Sequence, residues 1–253
     1  MSFNNVSADA YARFMGRYAE PLAGGFADLA GVRPGQRALD VGCGPGALTA
    51  QLIDRLGPDA VSAIDPSPPF ITAVRERFPE VDIHSGTAED LPFAAGSFDV
   101  ALAQLVVHFM ADPVQGLREM ARVTRPGGTI AACVWDHAGG RGPLSPFWKA
   151  AHEVLPEVHD ESDRAGARAG QLAELFAAAG VQDVQAGTLT VEVPYESFDE
   201  WWEPYTLGVG PAGAYTAKLS PEHREALRAH CAEVLPAGPF TISATAWTTT
   251  GTT

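Results

Sequence analysis

Cysteine is scarce: Cys43, Cys133 and Cys231 are the three in 253 residues, odd in number and far apart. This excludes a disulfide framework and offers no pair spaced for zinc, so the three read as buried thiols. Long apolar runs are absent, since no stretch approaches the ~20 residues that cross a bilayer. Residues 1–9 carry no basic segment followed by an apolar one, so no secretory leader is expected and the chain reads as cytoplasmic. Positive charge is thin as well. Seventeen Lys and Arg stand against 31 Asp and Glu, a formal net charge of −14, which repels nucleic-acid phosphates and anionic lipid. Neither a nucleic acid nor a membrane surface is expected as a partner. Internal repeats and low-complexity linkers are missing too. What remains is 46% apolar and 19% charged residues, the make-up of a folded chain with a sizeable core rather than a disordered one.

Hydrophobic spacing divides the chain, 1–253, into parts of one expected domain. Residues 7–30 predict a helical flap, because Tyr11, Phe14, Met15 and Tyr18 fall at i, i+3, i+4 and i+7, and Leu22, Phe26 and Leu29 extend that face beyond Pro21. Residues 37–135 alternate short apolar runs with amphipathic stretches, the pattern of a parallel sheet covered by helices on both faces. Strands are expected at 37–41, 60–64, 81–84, 98–105 and 129–135. Leu48, Leu52, Ile53 and Leu56 mark the apolar side of the first helix between them, Asp112-Pro113 opens another, and Pro126-Gly127-Gly128 breaks the chain before the fifth strand.

Residues 136–169 read as an insertion around a short helix that turns Phe147, Ala151, Val154 and Leu155 inward. A regular helix through Leu172, Leu175, Phe176 and Ala179 then ends at Gly180, and 181–193 alternates like an edge strand or hairpin. A second insertion is expected over 195–236. Ser197 and Glu200 form a capping-box pattern there, Pro204 kinks or ends that turn, and Ser220-Pro221 starts a helix with Leu227, Cys231, Val234 and Leu235 on its apolar side. Residues 240–249, rich in Thr and Ile, read as the last strand.

The chemistry concentrates where the first strand ends, in Leu39-Asp40-Val41-Gly42-Cys43-Gly44-Pro45-Gly46. Glycines there let backbone approach a ligand, and the amides at the start of the following helix suit a carboxylate or phosphate. A dinucleotide fingerprint needs Gly-x-Gly-x-x-Gly; here Pro45 interposes and Ala47 stands where the third glycine belongs, which disfavours a pyrophosphate. Asp65, about 20 residues on at the tip of the second strand, is placed for both hydroxyls of a ribose. Together these features suit an adenosine ligand without phosphate.

The same octapeptide resembles the first motif of the class I S-adenosylmethionine-dependent methyltransferases, in the broad small-molecule (type 11-like) group. Gly86-Thr-Ala-Glu-Asp-Leu-Pro-Phe93, Ser97-Phe-Asp-Val100, the stretch from Gln104 to Phe109, and Arg122-Val-Thr-Arg-Pro-Gly-Gly128 resemble that group's later motifs in order and spacing. The resemblance covers residues 10–135 well and the remainder in architecture alone. It implies an α/β fold, doubly wound and Rossmann-like, with a seven-stranded mostly parallel sheet and helical lid insertions. It also implies methyl transfer from S-adenosylmethionine to a small-molecule acceptor, leaving S-adenosylhomocysteine. By the same resemblance Gly42 and Gly44 would line the methionyl and ribose portions, and Asp40 would orient the amino group. Asp65 would hold the ribose, Pro66 would flank the adenine, and Ala88 and Glu89 would meet its polar edge. Gln104 would sit beside ribose and sulfonium, and Arg17 in the flap would reach the methionyl carboxylate. Thr87 stands where many relatives carry Asp.

Each of these residues also has a plainer reading. The glycines alone make a tight turn, and Glu89 with Asp90 caps a turn as readily as it meets adenine. His108 follows the fourth strand, where an imidazole is placed to remove a proton during transfer or simply to shape the pocket. Asp136 and His137, past the fifth strand, bring metal-dependent relatives to mind, but Gln104 and Leu105 occupy the place of the acidic partner, so no metal is expected. Phe147, Trp148, Trp201, Trp202 and Tyr205 read mainly as lid packing and secondarily as cover for an apolar or aromatic acceptor. Cys43 reads as inert, because methyl transfer needs no covalent intermediate. Two other functions remain open at this level: a scaffold that binds the cofactor and turns over nothing, and a nicotinamide-dependent oxidoreductase, which the missing glycine disfavours.

Overall fold

The structure, a computed structural model, describes residues 7–155, 157–236 and 238–253; residues 1–6 of the N-terminal segment lie outside them. Seven strands form one sheet in the order β3-β2-β1-β4-β5-β7-β6. They are β1 (Ala38–Val41), β2 (Val61–Asp65), β3 (Asp82–Ser85), β4 (Phe98–Gln104), β5 (Thr124–Trp135), β6 (Gln182–Tyr195) and β7 (Phe240–Thr252). β1 to β5 run parallel, and β7 lies antiparallel between β5 and β6. The expected doubly wound, mostly parallel sheet is therefore present, with the order reversing between β1 and β4, the place where such sheets open a crevice at their carboxyl ends.

Side chains alternate across the central strands and divide the core into two layers. Leu39, Val41, Ala101, Ala103, Ile130 and Ala132 face the layer covered by α5 (Pro113–Val123) and α7 (Gln171–Ala178). Ala38, Val100, Leu102, Ala131, Cys133 and Trp135 face the other, with α2 (Arg17–Leu29) and α3 (Ala47–Leu56). Covered on both faces, β1 and β2 are buried along their whole length. Asp40 sits between Leu39 and Val41 and so belongs to the α2–α3 side. α4 (Pro68–Arg77) flanks β2 and β3.

The flap comprises a single turn, α1 (Ala8–Tyr11), a π-helical turn over Ala12–Gly16, and α2, which carries Pro21 inside it. The first insertion contains α6 (Ser145–Val154); the second contains α8 (Phe198–Trp202), α9 (Gly210–Lys218) and α10 (Pro221–Val234). The starts of α5, α8 and α10 follow the expected chemistry. Asp112, Ser197 and Ser220 each accept a hydrogen bond from the backbone N–H three residues on, at 3.0, 3.2 and 3.2 Å, contacts worth about 1 kcal/mol apiece.

Several details depart from the sequence reading. β5 begins at Thr124 rather than 129, because Thr124 pairs with Phe98 and Thr129 with Val100, and the Pro-Gly-Gly segment loops out within the strand. β7 runs on to Thr252, held by β5 on one side and β6 on the other. α9 was not foreseen; a helix of Gly, Ala and Pro has almost no amphipathic contrast to reveal it. Leu29, Val154 and Val234 lie at helix ends and are exposed at 38%, 36% and 53%, so the apolar faces stop one turn short of the expected extent. Among the described residues no helix is long and apolar enough to cross a membrane.

Candidate active site

The turn after β1 is built by its glycines. Gly42 has φ +72°, and a Cβ on it would lie 2.5 Å from Cγ2 of Val106, so both conformation and space demand glycine. Its N–H donates to the carbonyl of Ile64 at 2.7 Å, lashing the turn to the end of β2. Gly44, at φ +53°, has open space where a side chain would be, and its N–H donates to Asp65 Oδ2 at 2.9 Å. Asp65 Oδ1 accepts from the backbone of Ser67 at 2.8 Å. Burial raises the Asp65 carboxyl above the usual range while these two N–H groups pull it back.

Two cavities adjoin this turn, and Gly42 lines both. The narrower, about 30 Å³, is lined by Tyr11, Asp40, Gly44, Gln104 and Leu105 among others. Asp40 accepts from Thr49 Oγ1 at 2.6 Å, and burial pushes its carboxyl up to about 7. The side-chain amide of Gln104 donates to the carbonyl of Ala19 at 2.9 Å, leaving Oε1 buried with no partner among the described residues. An unpartnered buried carbonyl costs about 1–3 kcal/mol, and beside a buried carboxyl it calls for a positively charged donor. The wider cleft, about 400 Å³, is lined by Pro66, Thr87, Ala88, Glu89, Val106 and Met110 among others. Glu89 also accepts from the backbone of Ala111 at 2.7 Å and Asp112 at 3.3 Å, so it fastens the loop ahead of α5 while forming a wall of the cleft.

A third cavity lies beyond Leu105. It is lined by Tyr11, Phe14, His108, Trp135, His137 and Glu161, with Val209 to Pro211 of the second insertion also at its wall. Tyr11 and Leu105 line this cavity and the narrow one alike. Leu105 takes a left-handed φ of +61°, a costly conformation outside glycine, as the chain turns from β4 into the short helical turn bearing His108. His108 is buried, and among the described residues neither its Nδ1 nor the Nε2 of His137 has a partner. The two rings meet edge-on with centroids 5.9 Å apart. Burial, then His137 and the Arg164 charge, hold His108 well below its ordinary range, and burial lowers His137 to about 4. Both imidazoles are neutral near pH 7. Glu161, 3% exposed, accepts one hydrogen bond, from Trp148 Nε1 at 3.3 Å, and burial raises its carboxyl to about 7.

The expected site residues thus separate. Asp40, Gly42, Gly44 and Gln104 meet at the narrow cavity, and Pro66, Ala88 and Glu89 at the wide one; Asp65 stands behind the turn, and His108 lies in the third cavity. Arg17 joins none of them. Its guanidinium donates to Glu200 Oε1 at 2.7 Å and the carbonyl of Pro194 at 2.8 Å, and it lies over the Tyr195 ring. The reason is geometric: on α2 it shares a face with the second insertion rather than with the glycine turn.

Phe147, Trp148, Trp201, Trp202 and Tyr205 pack on one another, with Phe147 and Tyr205 stacked at 4.5 Å, and none lines the third cavity. Asp136 is buried against Arg141, Gly139 and Trp247. Cys43 is buried, with its thiol raised by burial. Sequence reasoning missed Glu161 altogether, because an acidic residue in an acidic, irregular segment carries no signal of burial. It met His137 only as a metal ligand.

This arrangement of strand order, glycine turn and crevice defines the class I methyltransferase fold. Residues 39–132 match the family model described as "Methyltransferase domain", and over this stretch the chain is similar to the S-adenosylmethionine-dependent methyltransferases. It is 42% identical over 120 residues to a demethylmenaquinone methyltransferase of Beutenbergia cavernae, covering 47% of this chain and 48% of that one. A demethylmenaquinone methyltransferase of Paenarthrobacter aurescens is 29% identical over 208 residues, 79% of this chain and 76% of that one. The chain spans about half or less of the length of several curated relatives it matches. The crystal structure of the YcgJ protein of Bacillus subtilis superposes with a TM-score of 0.58 at 19% identity, over 91% of this chain and 97% of that one, a likeness of fold. The residues present fit the family's cofactor on one observation: the orphaned Oε1 of Gln104 and the buried carboxyl of Asp40 face a cavity beside an open glycine turn, a set that an ammonium group satisfies.

Proposed function

We propose that the protein transfers a methyl group from S-adenosylmethionine to a small, uncharged, apolar or aromatic acceptor. The observation that carries this reading is the trio of cavities: two that share Gly42 and a third that meets the narrow one at Tyr11 and Leu105. In this reading Asp40, Gly44 and Gln104 hold the methionyl end, Asp65 stiffens the turn and meets the ribose, and Pro66, Ala88 and Glu89 enclose the adenine. The cofactor supplies an electrophilic methyl group on a sulfonium. The chain's own work is positioning and exclusion of water, effects worth up to ~7–11 kcal/mol in favourable cases. Leu105 and Tyr11 form the throat through which the acceptor faces the methyl group, and His108 bonds the acceptor as a neutral imidazole. The flap and both insertions close over the acceptor and select it.

The names of the relatives, demethylmenaquinone methyltransferases and a 2-methyl-6-phytyl-1,4-hydroquinone methyltransferase of rice, support a flat hydroxylated acceptor of the quinol kind. A soluble cytoplasmic enzyme without nucleic-acid partners agrees with the charge of −14. Calorimetry with S-adenosylhomocysteine, followed by a screen of phenols and quinols with labelled cofactor, tests the reading. Micromolar binding of the thioether and label in at least one quinol are expected. Binding of NADH in place of the thioether would reverse the assignment, and thioether binding without turnover of any acceptor would favour the scaffold.

A further inference from the structure

The third cavity contains a group that positioning alone leaves without a task. We propose that Glu161, carried by the first insertion, is the general base that takes the proton from the acceptor, and that His108 is not. The inference rests on the methyltransferase reading and adds to it the residue that moves the proton and the kind of acceptor this requires, one with an O–H or N–H.

Glu161 lines the same cavity as His108, His137 and Leu105 yet is nearly inaccessible, and the sole hydrogen bond to its carboxylate among the described residues is the long one from Trp148. A buried carboxylate satisfied by a single 3.3 Å contact is costly and is normally multiply bonded or paired. The Arg164 guanidinium, three residues on, makes no ion pair with that carboxylate among the described residues, although the Arg164 N–H donates to the Glu161 carbonyl at 3.2 Å. That guanidinium instead donates to the carbonyl of His108 at 3.3 Å and lies over Phe109. The remaining lone pairs of Glu161 are left for a donor that the cavity admits.

The field inside the cavity decides between the two candidate bases. A proton on His108 creates a cation where burial, His137 and Arg164 all oppose one. A proton on Glu161 removes an anion where burial opposes an anion, and a base that titrates near neutrality is the most effective one. The groups around Glu161 are Asp160 and Arg164 on its own segment, Trp148 on α6, Tyr205 of the second insertion, and His108 and His137 across the cavity. The step balances: the acceptor oxygen or nitrogen forms the bond to the methyl carbon, sulfur keeps the electron pair of the broken bond, and the proton passes to a Glu161 carboxylate oxygen. One positive and one negative charge disappear together inside a low-dielectric site, which is electrostatically favourable.

Glu161→Gln keeps the shape and the acceptor for Trp148 while removing the titration. With an acceptor from the quinol screen, turnover is expected to fall by ~10²–10⁴-fold with unchanged affinity for S-adenosylhomocysteine, and the acidic limb of the pH–rate profile is expected to vanish. His108→Asn is expected to raise KM and to leave that limb in place. A readout independent of turnover is the absorbance of p-nitrophenol bound to the S-adenosylhomocysteine complex. The wild-type carboxylate keeps the bound phenol protonated, so its apparent pKa is expected to lie about one unit higher than in Glu161→Gln. Should Glu161→Gln fail to bind the thioether, Glu161→Asp takes its place, with the acidic limb expected to persist at reduced turnover. Equal p-nitrophenol titrations in wild type and Glu161→Gln, or full turnover by Glu161→Gln, would overturn the proposal while leaving the methyltransferase reading intact. Absence of thioether binding in the wild type would overturn that reading first.

Discussion

The cofactor crevice and the acceptor cavity are made of different materials. The crevice is backbone: strand ends in parallel register, a glycine turn, and N–H groups committed to Ile64 and Asp65. The cavity proposed for the acceptor is side chain: rings and one acid brought by the flap, the turn after β4 and two insertions, with ring nitrogens of His108 and His137 unpartnered among the described residues. Backbone sites tolerate little variation and serve one ligand, whereas side-chain sites can be re-lined for a new one. On the proposed reading, the difference gives cofactor binding to the core and choice of acceptor to the insertions.

That division breaks most sharply at Gly42. Gly42→Ala forces a side chain into Val106 at a left-handed φ, costs of ~1–3 and ~1–2 kcal/mol, so affinity for S-adenosylhomocysteine is expected to drop by at least ~30-fold in calorimetry. Retention of affinity would mean that the crevice is less rigid than its hydrogen bonds require. A smaller effect is expected at Gln104→Leu, which removes the orphaned carbonyl. The loss should be ~3–10-fold for the thioether, with no change in acceptor specificity.

The acceptor side gives a pH signature. Glu161 is raised to about 7 from an ordinary value of 4.5, so between those values the folded protein holds a proton that the unfolded chain has released. Its contribution to stability is therefore fully present below about pH 4.5 and is lost as the pH climbs through 7. Asp40 is raised to about 7 as well, so the difference between variants isolates Glu161. In thermal melts the Tm of Glu161→Gln is expected to gain on the wild type by a few degrees from pH 5 to 8; parallel curves would place Glu161 in an ordinary, solvated setting.

The smallest effect is expected at Arg17. Its pairing with Glu200 is partly exposed and worth under ~1 kcal/mol, so Arg17→Ala should leave thioether affinity within twofold. A loss above ~10-fold would return Arg17 to the methionyl carboxylate, where the family resemblance puts it.

The same contrast governs what could be read in the sequence. Strands β1 to β4 and the glycine turn were legible because period, glycine spacing and the acid at the end of β2 are local signals. The capped starts of α5, α8 and α10 were legible for the same reason, each resting on a side chain and an N–H three residues apart. The acceptor cavity was not, because Tyr11, His108, Glu161 and Val209 come from four distant segments, and nothing in a linear chain marks their meeting. Arg17 shows the converse case. A flap residue transferred by resemblance went to the cofactor, but the helix face that carries it packs on Tyr195 and Glu200.

Tyr11 belongs to the walls of two chambers at once. On the proposed reading one phenol ring borders both occupants, so trimming it is expected to disturb the hold on thioether and acceptor together, where a change at Asp40 or Glu161 touches one chamber alone.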